Sequence, residues 1–285
     1  MQAIYARQQI IDQLTPVYGA GEAASIARIV LEDAFQLRPG QLASSLLNDS
    51  QVIHLQEIIH RLLAGEPVQY VLRVAQFYGL NFEVSPAVLI PRQETEELVA
   101  WVLEFIKLKK MVAPTILDIG LGSGCIGITL KSKRRDIQLW GLEKSPEALI
   151  IAQRNAERLL GKDQYQFLEQ DVLDSTKWAQ LPDCEIIVSN PPYIPHQEIN
   201  HVSEEVYRFE PAMALFVENE DPLIFYREIS ALAWEKLKSG GALFFECNTF
   251  SANAVLDLVA KTGFQQTELR KDIAGADRMV VAIKP

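Results

Sequence analysis

After Pro114 the sequence alternates short apolar runs with amphipathic stretches, and few folds accept that alternation. The runs at 115–119, 137–142, 165–168, 185–189 and 242–246 have the length and composition of strands. Helices are expected at 125–131 and 146–160 after the first two runs, and at 222–237 before the fifth. Strands separated by helices form a parallel sheet covered on both faces. The tail, 264–270 and 278–283, is split by Ala274-Gly275-Ala276-Asp277 and reads as two closing strands. The expectation is an α/β domain with a Rossmann-like, mostly parallel seven-stranded sheet.

Upstream the pattern differs. Residues 1 to 65 carry helical periodicity without strands, in Ile4, Ile10, Ile11 and Leu14, then Ile26, Ala27, Val30 and Leu31, then Leu55, Ile58, Ile59 and Leu62. Breaks fall at Gly19-Ala20-Gly21, Pro39-Gly40 and Asn48-Asp49-Ser50. Phe77-Tyr78-Gly79-Leu80-Asn81-Phe82-Glu83-Val84 is aromatic and alternating, as in a hairpin, and 94–107 is a helix with an acidic first turn and a lysine-rich end. The expected organisation is a helical bundle at 1–75, a linking β-hairpin at 76–93 and the sheet domain at 94–285.

Composition narrows the functions. No apolar run reaches the roughly 18 residues of a membrane span, and the N-terminus lacks a basic-then-apolar signal pattern. A cytoplasmic protein without a membrane role is expected. Cys125, Cys184 and Cys247 are far apart and without neighbouring histidines, which suits buried thiols rather than a metal site. A formal net charge of −10 opposes broad phosphate neutralisation, despite basic runs such as Lys131-Ser132-Lys133-Arg134-Arg135, so no stable nucleic-acid binding is expected.

The chemistry gathers at the strand ends. The first strand runs into Asp118-Ile119-Gly120-Leu121-Gly122-Ser123-Gly124, whose glycines let backbone approach a ligand. Its spacing is G-x-G-x-G rather than the G-x-G-x-x-G of dinucleotide binding, which speaks against a dehydrogenase. Such a loop can hold the amino-acid end of a nucleoside cofactor, with Asp118 orienting the turn or receiving an ammonium through water. The second strand ends in Glu143, about 20 residues past the loop, where a carboxylate can accept from two ribose hydroxyls. The third ends at Asp171-Val172, an acid for an adenine amino group and an apolar cover for its ring. The fourth leaves the sheet at Asn190-Pro191-Pro192-Tyr193, because paired prolines forbid strand and helix alike. A carboxamide fixed there suits a planar, uncharged substrate nitrogen.

Together Asp118 through Gly124, Glu143, Asp171 and Asn190-Pro191-Pro192-Tyr193 resemble the class I S-adenosylmethionine-dependent methyltransferases with the NPPY motif. More narrowly, the chain is similar to the peptide chain release factor glutamine methyltransferases, the HemK/PrmC family. That likeness rests on Gly65-Glu66-Pro67-Val68-Gln69-Tyr70, Phe77-Tyr78-Gly79-Leu80, Leu89-Ile90-Pro91-Arg92 with Glu94-Thr95-Glu96, Phe209-Glu210-Pro211-Ala212 and Ala274-Gly275-Ala276-Asp277-Arg278. Arg73 stands where the family usually has glycine, Gln93 where it has proline, Val172 at an often aromatic position, and Cys247-Asn248 where Ile-Gly is common.

The resemblance implies methyl transfer from S-adenosylmethionine to the amide nitrogen of a release-factor glutamine, leaving S-adenosylhomocysteine. It also implies that Asn190 and the Pro191 carbonyl accept the substrate N–H groups, with Pro192 stiffening the loop and Tyr193 walling the amide plane. The cofactor set is then Asp118, Gly120, Leu121, Gly122, Ser123, Gly124, Glu143, Asp171, Val172 and Asn190. NPPY alone also suits the exocyclic amine of adenine, so a DNA adenine methyltransferase is an alternative, although a basic target-reading insertion is missing. A non-catalytic adaptor is another. An isolated glutamine carries little identity, so the bundle is expected to dock the protein substrate, and a monomer is expected.

Overall fold

The structure, a computed structural model, describes residues 1–285, the side chain of His201 apart. Two units emerge, Met1–Val74 with Glu204–Phe209, and Ala75–Ser203 with Glu210–Pro285. In the first, α1 (Ala3–Asp33) contains Pro16 and loses helical geometry at Gly19, where φ is 76° and ψ 162°. The inward stripe is Ala3, Ala6, Ile10 and Leu14, spaced as one helical face, so Ile4 points to solvent instead of the core. Asn48 and Gln51 cap α2 (Asp49–Leu63) reciprocally, each side chain accepting the other's backbone N–H. Arg61 donates through two nitrogens to Glu66 and thereby fixes the turn before α3 (Val68–Leu72). Helix α7 (Glu204–Phe209) returns to this unit late in the chain.

The second unit begins in a hairpin, β1 (Val74–Phe77) and β2 (Leu80–Glu83), whose two turn residues Tyr78 and Gly79 both have positive φ, as a tight twisted turn requires. Helix α4 (Gln93–Leu108) follows. Five parallel strands then form: β3 (Thr115–Ile119), β4 (Gln138–Glu143), β5 (Tyr165–Glu169), β6 (Cys184–Ser189) and β9 (Leu237–Glu246). They alternate with α5 (Cys125–Lys133), α6 (Pro146–Leu160) and α9 (Ile224–Lys236). With β10 (Gln265–Lys271) and β11 (Asp277–Ile283) the sheet has seven strands in the order β10-β11-β9-β6-β3-β4-β5, β11 alone running against the other six. The expected α/β sheet is present, each strand within a few residues of its expected place.

Several elements were not anticipated. Helix α10 (Ala252–Thr262) buries Ala252, Val255 and Val259, a helical spacing visible in the sequence. Helix α8 (Ala212–Leu215) is short, and β7 (Ile194–Pro195) pairs in parallel with β8 (Phe216–Val217) over two residues, too few for any periodicity to register. Apolar side chains of α4 and α5 cover one face of the sheet, and those of α9 and α10 the other. Among the described residues no helix is long and apolar enough to cross a membrane. The chain leaves β3 for β4 and β5 on one side and returns to β6 on the other, and at such a switch point a crevice opens beyond the carboxyl ends of the strands.

Candidate active site

That crevice is a cavity of about 470 Å³, within the usual range for small-molecule sites. Its walls bring together ten of the expected residues: Gly120, Leu121, Gly122 and Ser123 after β3, Glu143 at the end of β4, Asp171 and Val172 after β5, and Asn190, Pro191 and Pro192 after β6. Asp118, Gly124 and Tyr193 stand behind the walls rather than in them. The Tyr193 ring is partly buried and packs against the α9/α10 core. Burial pushes its phenol up to about 12.

The glycine loop commits its amides internally. Gly120 and Leu121 both donate to the Leu142 carbonyl, Gly122 donates to Glu143 Oε2 at 2.8 Å, and Gly124 donates to the Leu121 carbonyl. A phosphate cradle needs such amides free, so the loop is shaped against pyrophosphate. Asp118, 1 % exposed, accepts the Gly127 N–H at 2.8 Å and ties β3 to the first turn of α5; a Cβ on Gly127 would meet that carboxylate at 2.9 Å. Burial raises the Asp118 carboxyl to about 7, against the pull of the Gly127 N–H. Its Oδ1 is buried without a partner, as is Gln170 Nε2 on the cavity wall. Nothing local in the sequence marks Gln170, an uncharged amide beside the carboxylate of Asp171.

Glu143 is held at both oxygens, accepting from Gly122 N at 2.8 Å and Ser145 N at 2.9 Å. Each oxygen keeps a lone pair, so the carboxylate can take two more donors in a fixed direction. Asp171 accepts from the backbone of Leu173 and pairs with Lys144 at 2.8 Å across the ends of β4 and β5. Lys144 is more than half exposed, and its flexible stem allows it to yield that oxygen to a ligand amine. Val172 is buried, its carbonyl taking the Trp178 indole N–H at 2.9 Å.

Around Asn190 two further buried residues gather, one of them at a strand end. Glu246 closes β9 as Glu143 closes β4, and it is 2 % exposed. The Thr95 hydroxyl, from the first turn of α4, donates to Glu246 Oε2 at 2.6 Å, and Asn190 Nδ2 donates to Thr95 Oγ1 at 3.3 Å. Burial is the largest influence on Glu246 and lifts it to about 7, while the Thr95 hydroxyl and the Arg278 guanidinium draw it down. Two of the family segments clasp each other here: Arg92 donates to Glu210 Oε1 at 2.5 Å and Ile90 N to its Oε2 at 3.1 Å. The clasp joins two stretches of the cavity wall, around Arg92 and around Pro211.

Comparison with known proteins agrees with this architecture. The PrmC N-terminal domain model matches residues 6–72, and the methyltransferase small domain model matches residues 102–209. The release factor glutamine methyltransferase of Flavobacterium psychrophilum is 38% identical over 278 residues, 96% of this chain and 96% of its own. Its counterpart in Bacteroides thetaiotaomicron is 38% identical over 283 residues, 98% of this chain and 97% of its own. The crystal structure of a methyltransferase from Pyrococcus furiosus shares the fold, with a TM-score of 0.51 at 16% identity over 79% of this chain and 96% of that one.

Proposed function

The chain belongs to the release factor glutamine methyltransferase family, and from that premise we propose that it methylates the side-chain amide nitrogen of a glutamine in peptide chain release factors, modulating translation termination. The observation that carries the reading is a single cavity lined by Glu143 and Asp171 on one side and Asn190-Pro191-Pro192 on the other. S-adenosylmethionine, when bound, supplies an electrophilic methyl group on sulfur and departs as S-adenosylhomocysteine. The donor set suits it. Glu143 offers two pre-aimed acceptors for ribose hydroxyls, Asp171 an acceptor for an amine, Val172 an apolar face, and Gln170 Nε2 an unpartnered donor for a ring nitrogen or ribose oxygen. Asp118 serves from behind, holding the glycine loop against α5.

An amide nitrogen is a poor nucleophile because its lone pair is delocalised, so the protein must place it in line with the methyl group. Orientation of that kind supplies on the order of 7–11 kcal/mol in favourable cases. In this reading Asn190 Oδ1 and the Pro191 carbonyl accept the two N–H groups of the substrate amide. Both bonds strengthen as positive charge develops on the nitrogen, which favours the transition state over the ground state. Pro192 keeps the loop stiff, so the acceptors are ordered before substrate arrives. The helical bundle at 1–75 supplies the docking that a lone glutamine side chain lacks, 76–93 links it, and 94–285 performs the transfer. The enzyme acts on a protein in the cytoplasm.

The test is to incubate the protein with isotopically labelled methyl donor and a purified release factor, with DNA in parallel, and to locate the label by peptide mass spectrometry. Label on one glutamine side chain is expected; label in DNA, or none in the release factor, overturns the reading.

A further inference from the structure

The role given to Asn190 requires its oxygen, not its nitrogen, to face the substrate. A carboxamide is nearly symmetric in shape, so its hydrogen-bond partners choose which end points where. Thr95 Oγ1 lies 2.6 Å from Glu246 Oε2 and 3.3 Å from Asn190 Nδ2. A threonine hydroxyl owns one proton. Beside a carboxylate that proton goes to the carboxylate, so Thr95 meets Asn190 as an acceptor. Only the amide nitrogen satisfies an acceptor, and the Asn190 oxygen is turned the other way. We propose that Thr95 and Glu246 are positioning residues that lock the Asn190 carboxamide with its oxygen presented to the substrate amide, an inference that rests on the function proposed above.

The three side chains come from three elements, α4, β9 and the end of β6, and Thr95 and Glu246 are each 2 % exposed. Buried groups on separate rigid elements hold a rotamer better than a loop does. The lock depends on Glu246 being ionised. If Glu246 holds a proton, it donates to Thr95, Thr95 donates to the Asn190 oxygen, and the amide turns over to present its nitrogen to a substrate that offers only N–H groups. The groups facing Glu246 set when that happens: Arg278 on β11, Glu94 on α4, the Cys125 thiol on α5, the Tyr193 phenol after β6, and Cys247 next in the chain, with the Asn190 amide itself favouring the ionised form, while the Tyr226 hydroxyl on α9 donates to the Glu246 backbone carbonyl.

The experiment uses the full-length protein, a release factor, single-turnover methylation across pH, and calorimetry with S-adenosylhomocysteine. Thr95→Val keeps the volume and removes the hydroxyl; the expected result is a fall in transfer rate of about 10- to 100-fold with S-adenosylhomocysteine affinity unchanged, and recovery to within about threefold in Thr95→Ser. Glu246→Gln is expected to flatten the acid limb of the rate profile. Wild-type transfer by Thr95→Val, no recovery in Thr95→Ser, or an unchanged acid limb in Glu246→Gln overturns the proposal. A substrate-free readout separates it from the function itself. The side-chain amide ¹⁵N resonance of Asn190 should move with pH in the wild type and stay flat in Glu246→Gln; a flat wild-type resonance sinks the lock even where glutamine is methylated, and a moving one upholds it even where another substrate is.

Discussion

Asn190 is the residue on which turnover should depend most. On the proposed reading Asn190→Ala removes one of two acceptors at the reacting nitrogen, which at comparable sites costs 10²- to 10³-fold in rate, or roughly 3–4 kcal/mol. Single-turnover transfer should show that loss while calorimetry with S-adenosylhomocysteine shows little change; normal turnover would remove Asn190 from the chemistry. Arg73 makes a different demand. It caps α3 with φ 57° and ψ 28°, the left-handed region, at a position where the resembling family has glycine. A side chain there costs about 1–2 kcal/mol, so Arg73→Gly should raise the thermal midpoint by a few degrees without touching the active site. A lowered midpoint would mean that the arginine side chain contributes contacts outweighing its backbone strain. Gln93 begins α4 after an extended Arg92, geometry that would equally accept the proline usual in the family.

Between elements, two carboxylates act as joints. Glu143 holds the turn after β3 through Gly122 and the start of α6 through Ser145, so Glu143→Ala leaves two N–H groups without their partner besides losing a ligand contact. With Glu143 in its proposed place at the ribose, affinity for S-adenosylhomocysteine is expected to fall about 10- to 100-fold, with the rate at saturating donor nearly unchanged, because such a contact binds ground and transition states alike. Donor affinity equal to wild type would show that the nucleoside lies elsewhere. Glu210 joins the segment around Ile90 to the one around Pro211, and its carboxylate is 1 % exposed. Arg92→Ala strands that charge, and a loss of roughly 3 kcal/mol follows, the scale for breaking a buried pair by removing one partner. Urea denaturation should register it; a loss below about 1 kcal/mol would mean that water reaches Glu210.

Across the whole molecule, Asp118 and Glu246 give stability an unusual pH slope. Both carboxyls are raised by burial to about 7, from ordinary values of 3.8 and 4.5. Between those values and 7 the folded protein holds protons that the unfolded chain has released. Their contribution is therefore full below the ordinary carboxyl values and is lost as pH rises through 7, at up to about 1.4 kcal/mol per pH unit for each group. Urea midpoints from pH 4.5 to 8 should fall more steeply in the wild type than in Asp118→Asn or Glu246→Gln; parallel profiles would mean that both carboxyls are ionised throughout. Asp272, drawn low by the Ala276 N–H and by Arg278, works in the opposite sense but only as pH falls through the ordinary carboxyl range and below.

The sequence by itself determined the strands of the seven-stranded sheet, their order in the chain and the residues at their ends, because apolar runs, glycines and prolines act on the backbone that carries them. Glu143, Asp171 and Asn190 were legible for that reason: a polar residue following an apolar run marks the rim of the sheet. Tertiary structure alone decided what those residues meet. Thr95 and Glu246 are 151 residues apart, and Arg92 and Glu210 are 118 apart. Nothing local to either partner records the other, since a buried carboxylate is stabilised by whichever donor the packing of α4 against β9 brings to it. The same cause sets the partly buried Tyr193 ring against the α9/α10 core and commits the amides of the glycine loop to the end of β4.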